Sequence, residues 1–288
     1  MKRALSIPKP GKEVVLEAAK LSNAEARFLV ANYYTAQDAR KREDMQRRHF
    51  GDITHQEANV VLDWARDAHA EIEAGVLRGL KNYAEASPVG YWMMAQHGVG
   101  PVIAAGFLAH LDIEKAPTAG HFWSFAGLNP SCKWEKGEKR PYNAQLKQLC
   151  YHLGECIKRT WKDEGSFYGP IYGTRKELLV ERNERGYNAE RAKTFRTQSK
   201  DVRKVLAEGK LPAGNLDRQA CNYVAKIFLS HLHAVMLWDK YGDAVSLPYS
   251  IAMLNHAHFI EIPLADKFFP GLNKTLRKAV ARAQAKAA

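Results

Sequence analysis

Gln96-His97-Gly98-Val99-Gly100-Pro101 is the stretch on which the fold turns. Before it stand Tyr91, Trp92, Met93 and Met94, in a short helix with Pro88 in its first turn. After it, Pro101 opens a second helix carrying Val102, Ile103, Phe107, Leu108 and Leu111. Two helices joined by Gly-Val-Gly describe a helix-hairpin-helix. Glycines permit backbone conformations closed to other residues, and they leave no side chain between the amides and a partner. The amides that start the next helix point outward, and the helix dipole favours an anion there. His97, Gly98, Val99 and Gly100 are therefore candidate phosphate contacts. The alternative is a tight structural corner with nothing bound.

Upstream, residues 1–21 read as a tail with Pro8 and Pro10. Ser22-Asn23-Ala24-Glu25 fits a capping box and starts a helix that becomes strongly charged through Arg48. Phe50-Gly51 is expected to break it. Thr54-His55-Gln56-Glu57 is expected to be a second capping box, leading a helix with Val60, Trp64, Ala68, Ile72, Val76 and Leu80 at helical spacing. Residues 22–86 thus predict a long N-terminal helical hairpin. Its alternating charges suit a solvated face, or an arm that contacts nucleic acid.

Downstream, residues 87–265 predict one helical domain. The pattern loses its helical period between Lys133 and Lys139, where a small β-hairpin is expected around a turn at Glu135–Glu138. Residues 186–212 are highly charged and predict a partly exposed insertion. Asp217–Tyr241 predicts a buried helix on Ala220, Val224, Ile227, Phe228, Leu232, Val235 and Trp238. Residues 266–288 predict a basic C-terminal tail or helix.

Lysine and arginine total 43 against 31 acids, a net charge of +12. Such a surface attracts polyanions and releases their counterions on binding. Nucleic acid is the first partner this implies, and an anionic membrane surface the second. Cys132, Cys150, Cys156 and Cys221 form no C-x-x-C pair, so neither a zinc site nor a disulfide framework is expected. No stretch is long and apolar enough to span a membrane, and residues 1–12 lack the apolar core of a signal peptide. The expectation is a cytoplasmic protein with reduced thiols, no membrane association, no metal and no cofactor. His231 with His233, and His256 with His258, are spaced for ordinary polar contacts unless a distant ligand joins them.

Four segments carry a family resemblance. Met94–Ala109, with its G-V-G-P-V-I-A-A core, is similar to the "P-G-I-G-P-x-x-A-A-x-L-L-A" segment of one group of insertion-sequence transposases. These enzymes are guided by a bridge RNA and join an N-terminal RuvC-like DEDD domain to a C-terminal serine domain. Phe122–Pro130 resembles their "A-x-Y-A-G-L-x-P" segment, Asn143–Leu149 their "G-N-x-x-L-R-x-A-L", and Arg218–Leu229 their last helix. The resemblance spans roughly residues 88 to 241. It implies a transposase-like helical domain with Arg218 at the nucleic acid, and a coiled-coil-like hairpin that makes a homo-oligomer. Two departures stand out. No N-terminal strand carries the aspartate of a DEDD metal site. The position before Gly137, where the family places its serine, is Lys136.

Ser131 is the hydroxyl nearest that position and the one candidate catalytic residue. A serine nucleophile needs basic groups to neutralise the attacked phosphodiester. Lys133, Lys136, Lys139 and Arg140 would supply them, and Trp134 would stack on an unpaired base. The function expected is nucleic-acid binding, DNA in preference to RNA, without strand transfer by this chain alone. Two alternatives stand beside it: an active recombinase or nuclease working with a partner, and an interaction protein that binds no nucleic acid.

Overall fold

The computed structural model describes residues 9–55, 59–132, 134–135, 137–242, 244–247 and 259–287. Among them every regular element is a helix. The chain divides into two compact units, Met1–Met94 with Gly100–Leu111, and Ala95–Val99 with Asp112–Ala288.

The first unit holds α1 (Lys12–Glu17), α2 (Asn23–Thr54), α3 (Val60–Glu85), α4 (Pro88–Met94) and α5 (Pro101–His110). The capping box of α2 forms as read. Glu25 N–H donates to Ser22 Oγ at 3.3 Å, and Ser22 N–H donates to Glu25 Oε2 at 2.8 Å. Gly51 does not break the helix. A mid-helix glycine costs only about 1 kcal/mol, and α2 continues until His55 turns left-handed at φ 54°. Thr54 is not the cap of the next helix. Thr54 still belongs to α2, and Asn59 caps α3 by accepting from Val61 N–H at 3.0 Å. Gln56 and Glu57 lie outside the described residues.

The charges of α2 and α3 pair between the helices, which therefore run antiparallel. Arg47 meets Asp63 at 2.5 Å, Glu43 meets His69 at 3.0 Å, and Arg40 meets Glu73 at 2.5 Å. Near the other end, Tyr83 Oη donates to Asn23 at 2.9 Å. Helix α5 is apolar on all sides, and it is accordingly buried against α2, α3 and α4. Arg27 closes its C-terminus by donating to Ala109 O at 3.2 Å. Helices α4 and α5, which the sequence assigns to the following domain, group instead with this hairpin.

The second unit holds α6 (Ala119–Phe125), α7 (Ala144–Arg159), α8 (Tyr168–Glu184), α9 (Ala189–Thr194), α10 (Lys200–Ala207), α11 (Ala213–Tyr241), α12 (Ala265–Phe268) and α13 (Leu272–Ala287). Helix α11 is its axis and packs against α6, α7 and α8. Ala220, Val224, Phe228, Leu232 and Val235 are buried along it. The expected β-hairpin is not supported: no strand occurs among the described residues, and Lys133 and Lys136 lie outside them. Only its turn is present: Glu138 N–H donates to Glu135 O at 3.2 Å with Gly137 at φ 105°. A lone short hairpin has no sheet to join, and such hairpins are marginal in water.

The charged 186–212 stretch folds into α9 and α10. Its end is pinned where Asn183 pairs with both the N–H and the C=O of Leu211, at 2.9 and 3.1 Å. The basic C-terminus is a docked helix. Leu272, Leu276 and Val280 of α13 are buried, and Asn273 holds both backbone groups of Ile262 at 3.0 Å. Among the described residues no helix is long and apolar enough to cross a membrane.

Candidate functional site

The exposed face of α11 is built by helical spacing. Asn215, Arg218, Gln219, Asn222, Tyr223 and Lys226 recur every three or four residues and are all half-buried. No acid stands among them. The acid that α11 does carry in this region, Asp217, is turned inward.

Aromatic rings from neighbouring helices seat the cations of this face. The Arg218 guanidinium lies 3.8 Å from the centre of the Tyr151 ring of α7, and also meets Glu155 at 3.0 Å. Arg175 of α8 lies 4.8 Å from the Tyr223 ring. Lys226 stands 5.6 Å from the ring of Trp123 in α6, whose indole N–H donates to Lys226 O at 3.0 Å. Such cation–ring contacts hold a charge in place without neutralising it. Among the described residues neither Arg175 nor Lys226 joins an ion pair, and Arg175 Nε is buried without a hydrogen-bond partner. Burial, and next the charge of Arg175, pushes the Lys226 ammonium below its ordinary pKa. Two uncompensated cations thus share one stretch of surface.

That stretch runs into a cavity of about 730 Å³. Tyr223, Lys226 and Ser230 of α11 form one wall, Trp123 of α6 a second, and Asn129 with Ser131 the rim. The rim is fixed by local structure. Asn129 donates to Ser124 Oγ at 3.1 Å and accepts from Ser131 N–H at 3.0 Å. The preceding Gly127 is left-handed at φ 65°, and a Cβ there would stand 2.8 Å from the Tyr142 ring. Only glycine suits that turn. Ser131 itself is exposed, and the bond it makes here comes from its backbone N–H.

His97 Nε2 lies 3.0 Å from Asp163 Oδ2, which sets an acid on the glycine turn. Gly98 takes φ 86°, and a Cβ there would meet Thr160 Oγ1 at 3.1 Å. Val99 is buried. Gly100 caps α5 in extended conformation with open space around it. Trp134 donates to Glu138 O at 2.8 Å, and Arg140 lies 5.2 Å from its ring. Lys139 is exposed. Lys133 and Lys136 lie outside the described residues. Of the described candidates Ser131 alone lines the cavity, and Arg218 alone stands on the α11 face. Trp123, Arg175, Tyr223 and Lys226 were missed. The acid-free polar face opposite the apolar stripe of Asp217–Tyr241 was a signal for Tyr223 and Lys226, whereas Trp123 and Arg175 stand on other helices and no local pattern marks them.

Two other polar clusters have different chemistry. Glu155, Asp217 and Cys221 are ligand types lying within 4.8 Å of one another. Their charges are already satisfied. Asp217 holds Lys158 at 2.5 Å, Lys176 at 3.0 Å and the Tyr172 hydroxyl at 2.5 Å, and Glu155 holds Arg218. Burial, and then Asp217, pushes the Cys221 thiol up to about 11, away from the thiolate a metal needs. His231 is engaged at both ring nitrogens, by the Tyr168 hydroxyl at 2.9 Å and Ile260 O at 3.2 Å. His233 Nε2 lies 2.7 Å from Ala116 O. His256 and His258 lie outside the described residues.

No protein-family model, curated protein or solved structure matches this chain.

Proposed function

We propose that this chain binds the backbone of a nucleic acid through the acid-free face of α11. The observation that carries the reading is the pair Arg175 and Lys226, two partly buried cations that no acid among the described residues offsets. A folded protein keeps such a pair at a cost in self-repulsion, and a polyanion removes that cost. Asn222 and Gln219 extend the same face with donors suited to phosphate and sugar oxygens, and Arg218 stands on it with its charge shared with Glu155. DNA is the favoured ligand, with RNA the alternative. The helix-hairpin-helix turn at His97–Gly100 is a secondary contact, since Asp163 beside His97 opposes an anion there. The likeness of residues 88–241 to a transposase C-terminal domain supports the same class of ligand. A homo-oligomer would suit the exposed Met45, Ile53, Val60, Val61 and Trp64 on α2 and α3.

The test is a salt titration of binding to duplex, junction and single-stranded DNA and to RNA. Phosphate contacts make log affinity fall linearly with log salt, and Lys226→Ala and Arg175→Ala each lower that slope by about 1. No binding at low salt would sink the reading in favour of an interaction protein.

A second reading rests on Ser131, an exposed hydroxyl on the same cavity as Lys226. It makes the chain a recombinase or nuclease that works with a partner. Strand cleavage that disappears in Ser131→Ala would establish it, and absence of any cleavage would remove it.

A further inference from the structure

The cavity at the end of the α11 face has walls of two kinds. One wall is cationic, with Lys226 on the cavity and Arg175 next to it over Tyr223. Ile227, Leu276 and Ile262 line the cavity beside the Trp123 ring as an apolar part, and His121, His231 and His233 line it as well. Ser124, Ser230 and Asn129 also line it. Its volume of about 730 Å³ falls in the range of ~300–1,000 Å³ that holds one small organic ligand. A chain phosphate alone needs no such depth. An apolar metabolite alone needs no cationic wall. The ligand that satisfies both is an anion joined to a flat, weakly polar ring.

We infer that the cavity is a nucleotide pocket: it takes one nucleotide unit, phosphate at Lys226 and Arg175, base among the apolar walls. This rests on the nucleic-acid reading above for its source, a nucleotide turned out of a bound strand. A free mononucleotide has the same chemistry. Turning a base out of a stack costs a few kcal/mol, least in a single strand. A single strand is therefore the preferred donor. No bond is made or broken in this step.

The experiment uses the full chain with two probes. In the first, 5′-AMP and adenosine are titrated separately. AMP is expected to bind about tenfold tighter than adenosine through its charge-assisted contacts, and Lys226→Ala to bring the two together. In the second, 2-aminopurine is placed at successive positions of a bound single strand. One position is expected to brighten as it unstacks. Ser230→Phe fills the cavity from a half-buried helical position and leaves every cation in place. It is expected to abolish AMP binding and the brightening while keeping strand affinity within about threefold. Unchanged near-ultraviolet circular dichroism shows that the variant is folded, and Lys226→Ala gives an independent reading should it not be.

The outcomes separate the two proposals. AMP binding and brightening together support a strand-derived nucleotide. AMP binding without strand binding keeps the pocket, assigns it to a free mononucleotide and sinks the backbone reading. Strand binding with neither brightening nor AMP binding overturns the pocket and leaves the backbone reading standing. Ser230→Phe that keeps both signals also overturns the pocket.

Discussion

Lys158 Nζ of α7 lies 2.5 Å from Asp217 Oδ2 of α11. Tyr172 and Lys176 of α8 meet the other oxygen of the same carboxylate, so one side chain fastens three helices. Asp217→Ala leaves a buried phenol and two ammonium groups without their acceptor. Because the lysines are partly exposed, the loss is smaller than for a fully buried triad. It should cost about 2–3 kcal/mol, measured as a lower urea midpoint with an unchanged slope. Asp217→Ala within 0.5 kcal/mol of the native protein, against a surface-like ~0.5 kcal/mol threshold, would show that the three helices hold without it.

Acid should destabilise the fold in two windows. His110 and His231 are held by burial at about 4, below their ordinary 6.5. Between those values the unfolded chain binds protons that the folded chain does not, so stability falls as pH drops from 6.5 toward 4. Asp217 adds the second window. Burial pushes its pKa up, but bonds from Lys158, Tyr172 and Lys176 outweigh that and hold it at about 2. Its contribution, ~2 kcal/mol from the pKa difference, is complete above its ordinary 3.8 and fades as pH falls toward 2. Urea midpoints measured at successive pH values should decline in both ranges. His231→Gln should flatten the upper one, and a profile that rises on acidification would contradict the assignment.

Burial and the charge of Arg175 both disfavour the charged form of Lys226. Lys226→Met removes a half-buried charge repelled by Arg175 and keeps the side chain's apolar length. The variant should melt at the same or a higher temperature, a gain of up to ~0.5 kcal/mol, while losing nucleic-acid affinity. Functional residues commonly trade stability in this way. A clear loss of thermal stability would identify Lys226 as structural instead.

The two glycines of the turn should behave differently. Gly98→Ala combines a positive φ with a close contact to Thr160, and should cost about 1–3 kcal/mol. Gly100→Ala has φ −88° and open space, so it should change stability by a few tenths of a kcal/mol, about the surface average. If Gly100→Ala keeps stability and still weakens binding, the backbone at Gly100 touches the ligand. Equal destabilisation by both would refute the conformational argument.

The helical class, the Ser22 cap and the apolar stripe of α11 were legible because each is a local, periodic signal. The end of α2 was not. Glycine weakens a helix only slightly, and the chain past Gly51 was decided by where His55 reverses. The β-hairpin failed for a related reason: loss of helical period shows only that a segment is not helical.

The sequence by itself determined that this protein is helical and basic, with a glycine turn and a long helix at Asp217–Tyr241. Tertiary structure alone decided which charges stay uncompensated. In sequence, Lys158, Lys176, Arg218, Arg175 and Lys226 are equivalent positive charges. Among the described residues, folding brings acids to the first three and leaves Lys226 on the cavity, and Arg175 near it, without them. An electrostatic site is a difference between charges brought together from distant parts of the chain, and no local pattern encodes that difference.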